Sequence, residues 1–170
     1  MRLTDLLKYR NCGLCEEGLE IAYALLDDEE FPTPRAMAEE YLKRGGEWID
    51  VLLVASLLTD DKSWAWDIVR IVFEILPDPL NRYATTLGPD NWKEAMEATS
   101  NASLDFIAAT SDAYKPCIVA AVEAAANGEC YSAILEVSRQ CYYTSDYDTY
   151  VNIISRFLDI AFNAVEGEQS

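Results

Sequence analysis

Apolar and polar positions recur at three- and four-residue spacings along nearly the whole chain, the period of an α-helix, and the alternation of a half-buried strand is absent. Cys15, Leu19, Ala22 and Leu26 share one face, with Glu16, Glu20 and Asp27 on another, which predicts an amphipathic helix over 12–26. Phe31, Pro32, Thr33 and Pro34 break and restart the chain. Thr33 stands where a hydroxyl caps a helix, and Pro34 at the first helical position, where a missing N–H costs nothing. Lys43 and Arg44 followed by Gly45-Gly46 close that helix. Residues 47–58 are apolar almost all round, and 63–76 leave only Asp67, Arg70 and Glu74 as a polar stripe spaced for ion pairing. Helices of this kind must be covered on more than one side, so 47–76 reads as a helical hairpin at the centre of a bundle, turning at 59–62.

Beyond Pro77-Asp78-Pro79 the pattern predicts a short helix over 79–87, stopped by Gly88-Pro89. Asp90 is the expected cap of the next helix, in which Trp92, Ala95 and Met96 face inward, followed after a soft break at 99–101 by Leu104, Ile107 and Ala108. Pro116 is expected to start a helix that ends at Asn127-Gly128. Residues 129–142 form another, with Tyr131, Ile134, Leu135 and Ser138 toward a partner. Ser145 and Asp148 have capping-box spacing for a last helix that docks through Val151, Ile154, Leu158, Ala161 and Phe162. The expected fold is all-α: one domain over 1–170, with about eight to nine helices around the central 47–76 hairpin and a frayed tail at 165–170.

Composition changes this picture mainly through charge. The 170 residues carry 30 acidic and 13 basic side chains and no histidine, a formal net charge of −17. Ten tyrosines and four tryptophans exclude a disordered acidic tail. Such a surface repels phosphates and anionic lipid heads, so neither direct nucleic acid binding nor membrane attachment is expected. The longest apolar run, 48–58, contains Asp50 and falls short of the ~18 residues of a membrane span. Met1–Lys8 has no apolar run of signal-peptide length, and five cysteines make an odd set that suits reduced thiols. A cytoplasmic location follows as an expectation.

Candidate chemistry is sparse. Without histidine, Ser-His and Cys-His catalysis and imidazole zinc sites are impossible. Cys12 and Cys15 have redox-motif spacing, but no strand precedes them, and Glu16 and Glu17 oppose thiolate formation; packing is the simpler role. Glu39-Glu40 and Asp60-Asp61 have no histidine to complete a di-metal site, and 27–30 lacks the spacing of a calcium loop. The reading is therefore a non-enzyme with no cofactor and no metal.

What survives is a surface. Seven of the fifteen residues from Glu16 to Glu30 are acidic and none is basic, and Glu94–Ser138 carries seven acids against Lys115 alone. Carboxylates along one helix edge approach the linear charge density of a DNA strand, roughly one charge per 3.4 Å. A net charge of −17 also exceeds the magnitude of about 2–8 that serves solubility in a small domain. Half the tyrosines, Tyr131, Tyr142, Tyr143, Tyr147 and Tyr150, lie within twenty residues, and tyrosine is enriched at protein interfaces. The expected contacts are Glu16, Glu17, Glu20, Asp27, Asp28, Glu29 and Glu30, with Tyr142, Tyr143 and Tyr147 as anchors.

In charge, size and acidic runs the chain resembles the phage-encoded inhibitors of bacterial defence, the anti-CRISPR and anti-restriction proteins that mimic DNA. Over about the first 75 residues it also resembles helical immunity proteins, through Cys15–Glu20, Thr33–Lys43 and the acid–Trp step at Glu47–Asp50. The first resemblance implies a partner that is a larger protein or ribonucleoprotein complex with a basic groove, met in a host bacterial cytoplasm. The second implies a toxin to be neutralised. A helical interaction module without mimicry, or a homodimer through the tyrosine-rich end, is a further reading.

Overall fold

The computed structural model describes residues 16–26, 31–102, 111–144 and 146–168. These residues are all-α, with no strand among them. The helices are α1 (Glu16–Leu26), α2 (Pro34–Lys43), α3 (Trp48–Leu58), α4 (Trp64–Glu74), α5 (Tyr83–Thr86, preceded by a 3-10 turn at Leu80–Arg82), α6 (Trp92–Asn101), α7 (Ser111–Ala126), α8 (Cys130–Thr144) and α9 (Tyr147–Glu168). They pack as two compact units, one of residues 1–60 with 161–170 and the other of residues 61–160. The boundary falls in the turn between α3 and α4, so the two helices expected to form a hairpin over 47–76 belong to different units.

The first unit builds its core from Leu25, Met37, Ala38, Tyr41, Leu52 and Ala55 together with Ala161, Phe162 and Val165. Thr33 caps α2 as its hydroxyl predicts, accepting a hydrogen bond from the Ala36 amide at 3.1 Å, with Pro34 in the first turn. At the other end Gly45 takes φ +96°, and the Gly45 and Gly46 amides bond back to the Leu42 and Tyr41 carbonyls, each at 3.0 Å. This is the Schellman closure that the Gly-Gly pair announced. It turns the chain so that the buried Tyr41 hydroxyl donates to the buried Asp50 carboxylate at 2.6 Å, tying α2 to the start of α3. Arg35 lies over the Phe162 ring, 4.7 Å from its centroid, with Glu166 3.8 Å from its guanidinium.

The second unit is organised on α4, which packs against α5, α7 and α8. Trp64, Ala65, Trp66, Ile68, Val69, Ile71, Val72 and Phe73 are all buried, so this helix is covered on more than one side, as its apolar pattern requires. The polar stripe left over behaves as its spacing predicts only in part. Asp67 and Arg70 pair at 2.6 Å, but Glu74 turns instead to Arg156 of α9 and holds both guanidinium nitrogens at 2.7 Å. Buried hydroxyls in both units are satisfied within their own helices, Thr59 on the Ala55 carbonyl and Thr99 on that of Ala95.

Five local expectations are corrected. The helix at 92 begins after Asn91, not Asp90; Asn91 is spent on the loop, accepting from the Gly88 amide and donating to the Thr86 carbonyl. α7 begins at Ser111, with Pro116 inside it. Pro116 is exposed, and it removes one amide donor from the helix interior. The cap bond of α9 comes from Asp146, whose carboxylate accepts from the Thr149 amide at 2.8 Å; Ser145 lies outside the described residues. Val151, expected to dock, is 45% exposed, because Ile153, Ile154 and Phe157 carry the buried face of this end of α9. The tail, expected to fray from 165, is helical as far as it is described: α9 continues to Glu168, and Val165 is buried.

Candidate functional site

The residues singled out in the sequence fall in both units. In the first, Glu17 and Glu20 are exposed on α1, three residues apart and so on one side of the helix, while Gly18 and Leu25 are buried. The side chain of Glu16 and the whole of Asp27, Asp28, Glu29 and Glu30 lie outside the described residues, as do Cys12 and Cys15. In the second unit, Tyr142 and Tyr143 belong to α8, with their side chains outside the described set, and Tyr147 opens α9 at 79% exposure. The acidic α1 edge thus belongs to the first unit and Tyr147 to the second.

The distribution of cations decides where the negative excess goes. Among the described residues every arginine sits against a carboxylate: Arg35 on Glu166, Arg44 on Glu40, Arg70 on Asp67, Arg82 on Glu94, Arg139 on Glu136 and Arg156 on Glu74. Hydrogen bonds from Arg44 and then Lys43 hold the Glu40 carboxyl below the ordinary glutamate value. The bond to Glu74 raises the Arg156 guanidinium further above its already high value. Lys93 covers the Trp92 ring, and Lys115 reaches the Ser100 carbonyl at 3.4 Å. Guanidinium charge is thereby matched locally, within the chain. Carboxylates at Glu17, Glu20, Glu39, Glu47, Glu97 and Glu123 face solvent, and they carry the surplus of acids over bases outward.

The described thiols do not offer chemistry. Cys130 and Cys141 are buried and Cys117 is half-buried. Burial pushes all three upward in pKa, Cys141 to about 12, and the Glu136 carboxylate beside Cys117 adds to the effect there. A thiol so raised stays protonated near neutrality and is a poor nucleophile and metal ligand. Among the described residues no group of three or more cysteine, aspartate or glutamate side chains is arranged to hold a metal ion. Native Cys141 should therefore resist alkylation at pH 8 and react only on unfolding. Its raised value also has a sign in stability. The unfolded thiol ionises from its ordinary 9.0 while the folded one stays neutral, so this contribution is complete below pH 9 and is lost as pH rises toward about 12. Denaturant midpoints measured across that range should fall, and fall less steeply in Cys141→Ala.

The most exposed large apolar side chain among the described residues is Tyr147, and Val151 lies one turn on along the same side of α9. Asp146 and Asp148, both exposed, flank the ring in sequence. Bonding to the Thr149 amide, and secondarily to its side chain, holds the Asp146 carboxyl below the usual aspartate value. It is therefore ionised throughout the neutral range. Sequence reasoning found Tyr147 but missed Val151. The only signal was that 153, 154 and 157 complete a buried stripe without it, which leaves 151 on the flank.

Comparison with family models, with curated proteins and with solved structures gives no match.

Proposed function

We propose that the chain is a non-enzymatic acidic inhibitor that occupies a basic, nucleic-acid-binding groove of a larger protein or ribonucleoprotein, as a bacterial defence complex or nuclease presents. The observation that supports this most is the fate of the cations. Every described arginine is spent on a neighbouring carboxylate, and the chain as a whole keeps a net charge of −17. Self-repulsion of that size works against a compact state, so its retention fits a use in binding. The exposed α1 acids Glu17 and Glu20 stand about one helical turn apart, a spacing that a groove lined for phosphates accepts. Binding by field and surface needs no nucleophile, and the raised thiols of Cys117, Cys130 and Cys141 suit a role without one.

The test is capture from bacterial lysate on the immobilised chain, followed by competition. Partners of the proposed kind should lose about tenfold or more in affinity between roughly 50 and 200 mM salt, because steering and pairing are both screened. Duplex DNA added in excess should displace them. Glu17→Lys with Glu20→Lys should weaken the same capture while leaving the far-ultraviolet spectrum and melting curve near those of the parent. Binding that neither salt nor DNA disturbs would dispose of the mimicry reading.

A further inference from the structure

The chain twice builds the same small constellation, an arginine laid over an aromatic ring with a carboxylate at its edge. Arg35 covers Phe162 and meets Glu166, and Arg82 covers Tyr83 at 4.8 Å while pairing with Glu94, which also accepts from the Tyr83 hydroxyl at 2.9 Å. At the start of α9 an exposed ring stands between two exposed aspartates in sequence, with no described arginine over it: Tyr147 is 79% exposed, Val151 extends the apolar surface by one turn, and Asp146, whose carboxylate also caps the helix on the Thr149 amide, and Asp148 are its chain neighbours. The described arginines are all engaged elsewhere, as their pairs show.

We infer that Tyr147, Val151, Asp146 and Asp148 form the anchor for an arginine side chain of a basic protein partner. This rests on the acidic-inhibitor reading and names the contact within it. The guanidinium stacks on the Tyr147 face, its aliphatic stem lies along Val151, and the aspartates meet its charge. Arginine suits this better than lysine because its planar, weakly hydrated head stacks and pairs at once. The helix N-terminus carries only about half a positive charge, and the two carboxylates outweigh it. A second copy of the chain is a poor occupant, since it brings another −17 to the same place.

The experiment titrates the full chain with two labelled peptides of equal length and charge, one alternating arginine with serine and the other lysine with serine. The arginine peptide should bind about two- to fivefold more tightly, the range of one exposed cation–π contact. Tyr147→Leu should abolish that preference and leave lysine-peptide binding unchanged, whereas Tyr147→Phe, which keeps the ring, should retain it. Tyr147 is exposed, so both variants should melt with the parent. If both peptides bind, weaken with salt and bind alike, and Tyr147→Leu changes neither, the anchor is overturned while the acidic surface stands. If neither peptide binds, the acidic-surface reading falls and the anchor falls with it. Concentration-dependent dimerisation abolished by Tyr147→Leu would assign the patch to a second copy and overturn the proposal.

Discussion

Phe73→Ala should destabilise the second unit by about 3–5 kcal/mol, one of the two largest single-residue effects expected in this protein. Phe73 is fully buried near the end of α4, the helix on which the unit is assembled. Its ring meets Tyr83 edge-on, with centroids 5.6 Å apart. Truncation removes the apolar area and opens a cavity that helices packed on more than one side cannot close. It also strips the support from Tyr83, whose hydroxyl joins Arg82 and Glu94. The denaturant midpoint of the α4 unit reports the loss. Phe73→Leu, which keeps most of the volume, should cost much less. A midpoint unchanged by the alanine variant would mean that α4 is not the centre of this unit.

The second large effect is expected at a glycine. Gly46→Ala should cost the first unit about 3–5 kcal/mol, combining overpacking with the loss of a buried hydrogen bond to a carboxylate. A Cβ on Gly46 would overlap Cδ1, Cε1 and Cζ of the Tyr41 ring. That ring cannot swing aside cheaply: it is buried, and its hydroxyl is held on Asp50 at 2.6 Å. Relief of the overlap must therefore break the bond that ties α2 to α3 and leave the Asp50 carboxylate short of a donor. The two causes separate in a double-mutant cycle. In a Tyr41→Ala background the same Gly46→Ala change should cost little, because the obstructing ring is gone. Additive losses would show that the glycine serves something other than ring contact. Gly45→Ala is the useful comparison, since open space surrounds its Cβ and only its positive φ is strained.

These two residues show which parts of the fold were open to reading. Phe73 was visible as one member of an apolar run broken only by Asp67, Arg70 and Glu74, and that run did become the most buried helix of its unit. Gly46 was visible as a helix terminator, which it is, but its contact with Tyr41 was not. Period-based reading recovers the face of a helix and says nothing of what a turn brings back against it. Asp50 makes the same point. In the sequence it was an interruption of an apolar stretch; in the structure it is a buried acceptor that a tyrosine nine residues earlier satisfies.

The candidate site divides along similar lines. Its charge was legible, because net charge is a sum over residues and needs no geometry. Which acids reach solvent unneutralised was not, because that depends on where the arginines land. Arg156 and Glu74 are 82 residues apart in the chain and adjacent in space, and no local spacing joins them. Tyr147 was picked out by crowding of its residue type, yet Val151 beside it was assigned to the buried face, because a helical stripe is about one residue wide in its uncertainty and packing alone sets the edge.

What the sequence determined by itself is the all-α class, the order of the helices, and the caps and stops that depend on one turn of chain, such as Thr33, Pro34 and Gly45. Those follow from 3.6-residue periodicity and from hydrogen bonds that close within four residues. Tertiary structure alone decided the bond between Tyr41 and Asp50, the capture of Glu74 by Arg156, the exposure of Val151, and hence which carboxylates and which aromatic ring face outward. Each of these depends on side chains from different elements meeting, a distance in space that no spacing along the chain encodes.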